Sequence, residues 1–126
     1  MTTTAKPKVL ICDDSQAMRQ LLSMSARRFG CEPVEAANGL EAIKLLVTFE
    51  FALLFLDINM PVLDGMKVIV RVREDPKIAH VPICVISTTD DEGVEKQLRD
   101  LGADYFLQKP TNRQMVDTVL QTVLRR

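Results

Sequence analysis

In the segment FALLFLD, residues 51–57, six apolar residues run without interruption into an aspartate, and this is the strongest structural signal in the chain. An unbroken apolar run of this length is typical of a β-strand buried on both faces. Similar runs, VLIC at 9–12 and PICVI at 82–86, also end at polar residues. Strands buried on both faces need helices on either side, so these runs indicate an α/β fold with a parallel sheet.

Amphipathic segments alternate with the apolar runs along the chain. Weaker strands are predicted at 33–36 and 105–107, and helices at 16–29, 38–47, 65–74, 90–101 and from 111 onward. Asn38 with Glu41, and Thr111 with Gln114, have capping-box spacing at the start of a helix. Five strand–helix pairs in this order predict one sheet with helices on both faces and right-handed crossovers.

Length and composition argue against several classes of protein. A chain of 126 residues predicts one domain, here residues 8–126, after a flexible polar arm at 1–7. The net charge of −1 gives no support to a nucleic-acid or membrane-surface partner. No apolar stretch approaches the ~20 residues of a membrane span. Three cysteines without metal-ligand spacing fit a reducing cytoplasm, with Cys12 and Cys84 buried, and the single His80 is expected at the surface.

Polar side chains follow four of the predicted strands at the point where each ends. Open α/β sheets bind ligands at this edge, so these side chains are expected to converge there. They are Asp13 and Asp14 after the first strand, Asp57 after the third, Ser87 and Thr88 after the fourth, and Lys109 after the fifth. An Asp–Asp pair alone is more often a turn with a helix cap, and only the four strand ends together favour a site.

Three carboxylates in one crevice repel each other, by up to about 4 kcal/mol for a pair about 4 Å apart. One lysine cannot balance them, whereas a hard divalent cation can, and oxygen ligands favour Mg²⁺ or Mn²⁺ over zinc. A lysine and a hydroxyl beside the cation would serve a phosphoryl group. The spacing therefore predicts a magnesium-dependent phosphoryl site, with an aspartate as a candidate nucleophile.

Four segments together resemble a known family. They are VLICDDSQAMR at 9–19, LFLDINMPVLDG at 54–65, PICVISTT at 82–89 and GADYFLQKP at 102–110. In their joint spacing they resemble the receiver domain of two-component response regulators, over about residues 8–124, and look most like single-domain chemotaxis-type regulators. The resemblance implies a flavodoxin-like fold of five parallel strands in the order 2-1-3-4-5, with helices on both faces.

The same resemblance implies a role for each residue of the cluster. Asp57 is the expected phosphoacceptor and receives its phosphoryl group from a sensor histidine kinase. Asp14 and Asp57 would bind Mg²⁺ through their carboxylates, Asn59 through its backbone carbonyl, and Asp13 through a metal-bound water. Lys109 would pair with Asp57 or with its phosphate, and the bond from Lys109 to the following proline is often cis in this family.

The resemblance also implies a switch. Ser87 matches the switch hydroxyl, which moves toward the phosphoryl oxygen, and Phe106 matches the aromatic side chain that turns inward after it. Thr88 replaces a smaller residue and belongs to the same switch, so access to the phosphate is expected to differ. Phe106 lacks the hydroxyl of chemotaxis regulators, and the neighbouring Tyr105 is expected to point to the other side of the sheet.

These features predict a phosphorylation-switched signalling module that is not an enzyme acting on other substrates. The 17 residues after Lys109 leave room for one helix, so output is expected through a downstream protein bound at the surface of helix 4, strand 5 and helix 5. The protein is expected as a monomer or weak dimer. Alternatives are a Mg²⁺-dependent phosphohydrolase of small phosphate esters, an unphosphorylated pseudo-receiver scaffold, a flavin carrier on the same fold, and a fragment of a longer regulator.

Overall fold

The computed structural model describes residues 6–60 and 64–125. Five strands and five helices alternate, and all strand pairs are parallel, in the order β2-β1-β3-β4-β5. The elements are β1 Lys8–Cys12, α1 Gln16–Arg28, β2 Glu32–Ala36, α2 Gly39–Thr48, β3 Leu53–Asp57, α3 Gly65–Glu74, β4 Ile83–Ser87, α4 Glu92–Leu101, β5 Tyr105–Gln108 and α5 Arg113–Leu124. The predicted fold class and strand order are confirmed. The first five residues of the predicted arm and residues 61–63 of the sequence lie outside the described residues.

The sheet separates two apolar layers, because successive side chains of a strand point to opposite faces. Leu10 and Leu54 belong to the layer under α2, α3 and α4, whereas Ile11 and Phe55 belong to the layer under α1 and α5. All five residues of β3 and of β4 are buried. Burial of each large apolar side chain stabilises the fold by about 1.5–3 kcal/mol. These central strands therefore form a rigid support for whatever lies at their ends.

The helix starts confirm one predicted cap and correct another. Asn38 caps α2, and its side chain accepts a hydrogen bond from the Glu41 backbone N–H, as predicted. The predicted cap of the last helix at Thr111 is wrong. Asn112 caps α5 and accepts from the N–H of Met115, while the buried Thr111 hydroxyl has no hydrogen-bond partner among the described residues. The pattern fits both positions, and an asparagine side chain is the better acceptor there.

Gly65, the first residue of α3, allows this helix to approach the end of β3. A Cβ atom at this position would lie 2.7 Å from the Ile58 Cα and 2.9 Å from the Asp57 carbonyl oxygen. Asp64 caps the helix by accepting from the Lys67 N–H. The Asp64-Gly65 pair therefore fixes the start of α3 directly against the backbone of Asp57.

Other expectations from the sequence concern single residues. Cys12 and Cys84 are buried, and His80 is exposed, as predicted. Tyr105 packs on the α1–α5 side of the sheet and Phe106 on the opposite side, also as predicted. No helix within residues 6–60 and 64–125 has the length and apolar character needed to cross a membrane.

Candidate functional site

The carboxyl ends of β1, β3 and β5 bring three carboxylates and one ammonium group together. One carboxylate oxygen from each of Asp13, Asp14 and Asp57 lies within 4.8 Å of the others. Asp13 and Asp57 are buried, whereas Asp14 is exposed. The Lys109 Nζ lies 3.2 Å from Asp13 Oδ2 and 3.3 Å from Asp57 Oδ2. We call these four residues the acidic cluster, and the structure assembles it from the residues that the sequence singled out.

Backbone groups hold the two buried carboxylates in place. Asp57 Oδ1 accepts a hydrogen bond from the Asn59 N–H at 3.0 Å, and Asp13 Oδ1 accepts from the Ser15 N–H at 2.8 Å. Both are contacts from an aspartate to the backbone two residues on, which fix a turn directly after the strand. Each of these two carboxylates therefore has one oxygen bound to the backbone and the other facing Lys109.

The electrostatics of the cluster favour a cation. Burial raises the pKa of Asp57 and the Asp13 carboxylate raises it further, although the Asn59 N–H and Lys109 act in the opposite direction. Burial alone would lower the pKa of Lys109, but the carboxylates of Asp13 and Asp57 outweigh it, and this pKa is raised. Lys109 is therefore a permanent cation near neutral pH. A single ammonium beside three carboxylates leaves excess negative charge in the crevice.

The donor atoms fit a hard divalent cation. Asp13 Oδ2 is buried and has no hydrogen-bond donor in good alignment within the described residues, although it faces Lys109. A buried carboxylate oxygen without an aligned donor is costly unless a charge or a metal compensates it. All three side chains offer oxygen atoms, as Mg²⁺ and Mn²⁺ prefer. Asn59 is exposed beside them, and its predicted role as a carbonyl ligand stays a prediction.

The predicted switch residues lie beside the cluster, and the Ser87 carbonyl oxygen accepts a hydrogen bond from the Lys109 backbone N–H at 2.7 Å. Ser87, at the end of β4, is buried, and its Oγ accepts a hydrogen bond from the Thr89 N–H at 3.2 Å. Thr88 is exposed. Phe106 is half-buried, and the Arg99 guanidinium lies 4.6 Å from its ring centroid. A cavity of about 280 Å³ is bounded by Ser87, Phe106 and residues of α4. The hydroxyl and the aromatic ring thus line one space.

Arg19, on α1, contacts the acidic cluster although no sequence pattern indicates this. Its Nη1 donates a hydrogen bond to the Asp13 carbonyl oxygen at 2.6 Å, and its Nε donates to Glu35 Oε1 at 3.0 Å. An arginine five residues after an Asp-Asp pair carries no recognisable signal, because the contact depends on how α1 and β2 pack. The expected cis Lys109–Pro110 bond is present.

Comparisons with known proteins find one family that covers most of the chain. The sequence profile described as the response regulator receiver domain matches residues 9–121. The chain is 30% identical, over 95% of its length, to the DNA-binding dual master transcriptional regulator RpaA of Synechocystis. It is 31% identical, over 94%, to the alkaline phosphatase synthesis transcriptional regulatory protein PhoP of Bacillus subtilis. It spans about half the length of these curated relatives, 50% and 49% respectively.

Solved structures with a similar fold include the chemotaxis response regulator CheY4 of Vibrio cholerae. The TM-score is 0.88 at 31% identity, over 94% of this chain and 99% of that one. A two-component response regulator from Clostridium difficile matches with a TM-score of 0.87 at 25% identity, over 96% and 98%. The chain belongs to the response regulator receiver domain family. As a receiver domain it is a phosphoacceptor signalling module, and its acidic cluster is of the kind that holds a divalent cation in receivers.

Proposed function

We propose that Asp57 accepts a phosphoryl group from the phosphohistidine of a sensor kinase in the presence of Mg²⁺. The position of Asp57 carries this proposal, since its buried carboxylate lies at the end of β3, beside the Lys109 ammonium and two further carboxylates. A carboxylate oxygen of Asp57 attacks phosphorus, the P–N bond to the kinase imidazole breaks, and the imidazole leaves with the electron pair. The product is an acyl phosphate on Asp57.

The other residues of the cluster support this transfer. Lys109 pairs with Asp57 before transfer and with a phosphoryl oxygen after it. Asp13, Asp14, Asp57 and the Asn59 carbonyl would hold Mg²⁺, which supplies positive charge to the phosphoryl oxygens. Rigid β3 and the Asn59 N–H keep the Asp57 carboxylate in one orientation, so little of the barrier is spent on ordering the acceptor.

The proposed output is a change in the surface formed by α4, β5 and α5. Phosphorylation adds about two negative charges and strong acceptor oxygens at Asp57. Ser87 is the neighbouring hydroxyl donor, and its Oγ would exchange the Thr89 N–H contact for a phosphoryl oxygen. Phe106 lines the same cavity as Ser87 and would move into the space left behind, with exposed Thr88 limiting access. A downstream protein would bind the altered surface.

The finer identity we propose is a single-domain, chemotaxis-type regulator. The likeness to CheY4 of Vibrio cholerae, which covers 99% of that chain, supports it. The curated relatives RpaA and PhoP, of which the chain spans half, favour the alternative of a receiver from a longer transcriptional regulator. In either case residues 8–126 are the proposed receiver and 1–7 its arm. The proposed state is a monomer or weak dimer, in a reducing cytoplasm that suits the buried thiols of Cys12 and Cys84.

A turnover assay separates this proposal from a phosphohydrolase. Phosphoramidate, which has a P–N bond like phosphohistidine, is incubated with the protein and Mg²⁺, and p-nitrophenyl phosphate is tested in parallel. We expect one phosphoryl group bound per chain and no sustained release of nitrophenol. Repeated turnover of the ester would contradict the proposal in favour of the phosphohydrolase, and absence of any bound phosphoryl group would favour the pseudo-receiver scaffold. A pull-down with and without beryllofluoride, which mimics the phosphoryl group, then identifies the output partner.

A further inference from the structure

We propose that Arg19 is a positioning residue for the acidic cluster, holding the peptide unit that joins Asp13 to Asp14. This inference rests on the proposed function, because it concerns the same site. The side chain of Arg19 is 19% exposed, so most of it lies against the protein. Its guanidinium makes two directed contacts at once, to the Asp13 carbonyl oxygen at 2.6 Å and to Glu35 Oε1 at 3.0 Å.

The Asp13 carbonyl matters because it belongs to the peptide plane between the two aspartates. A peptide unit is planar, so fixing its oxygen fixes the direction in which the Asp14 backbone leaves. The Asp13 carboxylate has its own anchor in the Ser15 N–H. The Asp14 carboxylate makes no hydrogen bond or ion pair with the described part of the chain. Its placement beside Asp57 therefore depends on the backbone that Arg19 holds.

The end of β2 helps to fix both backbone hydrogen-bonding groups of Asp13. The Asp13 N–H donates to the Ala36 carbonyl oxygen at 3.2 Å. The Asp13 carbonyl is held by Arg19, and Arg19 is in turn held by Glu35, the residue before Ala36. An arginine can do this because its planar fork offers separate N–H groups to the two acceptors, whereas a lysine offers a single nitrogen. The device thus ties α1 and β2 to the turn that carries two of the three carboxylates.

Positioning and simple charge effects predict opposite results when Arg19 is removed. Loss of a cation near three carboxylates makes the crevice more negative, and by itself this would tighten Mg²⁺ binding. Loss of the hydrogen bond to the Asp13 carbonyl frees the peptide plane, and this would weaken Mg²⁺ binding. Contacts that orient metal ligands typically change metal affinity by roughly 10- to 100-fold when they are removed. The positioning role therefore predicts weaker binding despite the more favourable charge.

The test measures Mg²⁺ affinity by calorimetry for wild type, Arg19→Ala, Arg19→Lys and Arg28→Ala. Arg28 is the matched control, since it lies on the same helix and also makes a side-chain hydrogen bond and an ion pair, to Ser25 and Asp117. We expect Arg19→Ala to lose at least about tenfold in Mg²⁺ affinity and Arg19→Lys to lose affinity although it keeps the charge. Arg28→Ala should bind like wild type.

A rate measurement separates positioning from general destabilisation. With acetyl phosphate as donor, the Mg²⁺ concentration for half-maximal phosphorylation should rise in the Arg19 variants, while the rate at saturating Mg²⁺ stays near that of wild type. If Arg19→Ala does not fold, Glu35→Gln, a change at an exposed side chain, should shift the same midpoint in the same direction. Variants that bind Mg²⁺ as tightly as wild type, or more tightly, would overturn the positioning role. A wild type that neither binds Mg²⁺ nor takes up phosphoryl would instead overturn the proposed function.

Discussion

Asp14→Asn should make the metal-free protein more stable and the Mg²⁺-loaded protein less stable than wild type. The Asp14 carboxylate has an oxygen within 4.8 Å of oxygens of Asp13 and Asp57, and it is not one of the two carboxylates paired with Lys109. Its removal therefore relieves repulsion and breaks no ion pair. An asparagine has nearly the same shape, so packing around the side chain changes little.

The size of the change in stability follows from the distance between the carboxylate oxygens of Asp14 and those of Asp13 and Asp57. Two unit charges 4.8 Å apart repel by about 0.9 kcal/mol in bulk water and by about 3.5 kcal/mol at an effective dielectric of about 20. Asp14 is exposed, which places its interactions near the lower limit. Two such interactions, partly offset by the nearby Lys109 cation, predict a gain of about 1–2 kcal/mol in the free energy of unfolding. For a chain of this size the melting temperature should rise by about 3–8 °C.

Chemical and thermal denaturation in EDTA and in Mg²⁺ show whether Asp14→Asn is more stable than wild type without the metal and less stable with it. Wild type should gain about 2.7 kcal/mol when Mg²⁺ is present at a hundred times its dissociation constant. Asp14→Asn should gain much less at the same concentration. Asp100→Asn, a change at an exposed aspartate outside the cluster, is the control and should leave the Mg²⁺ response intact. An Asp14→Asn protein that is less stable than wild type in EDTA, or that gains as much stability from Mg²⁺ as wild type does, would contradict this role of the Asp14 carboxylate.

Three further predictions concern the surroundings of the site. Burial raises the pKa of the Cys84 thiol from its ordinary 9.0, so above pH 9 the unfolded chain releases a proton that the folded chain keeps. The free energy of unfolding therefore falls as the pH rises. Between pH 9 and 10.5 this fall should be shallower in Cys84→Ala than in wild type by about 1.4 kcal/mol per pH unit. Equal slopes in the two proteins would contradict the prediction. Gly65→Ala places a Cβ 2.7 Å from a backbone atom just after β3 and should cost about 1–3 kcal/mol in urea denaturation, whereas Gly93→Ala, with 3.2 Å to a side-chain oxygen, should not. Arg99→Ala removes a cation 4.6 Å from the Phe106 ring. If that contact restrains the ring, calorimetry should show that the variant binds beryllofluoride about 2- to 5-fold more tightly than wild type. Unchanged affinity would mean that the contact has no part in the switch.

The sequence predicted most of the fold because its strongest signals are long apolar runs. The residues of β1, β3 and β4 were recognisable since burial on both faces demands continuous apolar sequence. The ends of the strands were harder to predict, because an apolar run does not mark where strand pairing begins. Phe51 is buried and belongs to the predicted strand, yet β3 begins at Leu53, because an apolar pattern reports burial and not strand pairing. The choice of Asn112 over Thr111 as a cap likewise depended on local backbone geometry.

The acidic cluster was predictable because parallel strands place their carboxyl ends on one edge, which brings Asp13, Asp57 and Lys109 together once the sheet forms. The Arg19 contact was not predictable. It joins a helix, a strand and a backbone carbonyl that are adjacent only in the folded protein, and its residue type suits any solvated helix face equally well. Contacts between elements that involve backbone atoms leave no residue pattern to read.

Phosphorylation of Asp57 is tested by the intact mass of the protein after incubation with acetyl phosphate. Wild type should gain a single phosphoryl group with Mg²⁺ and none in EDTA, and Asp57→Asn should gain none under either condition. Asp90→Asn, a change at an exposed aspartate near the same edge of the sheet, should be labelled like wild type. Equal labelling of Asp57→Asn and wild type, or labelling that is independent of Mg²⁺, would contradict the assignment of Asp57 as the phosphoacceptor.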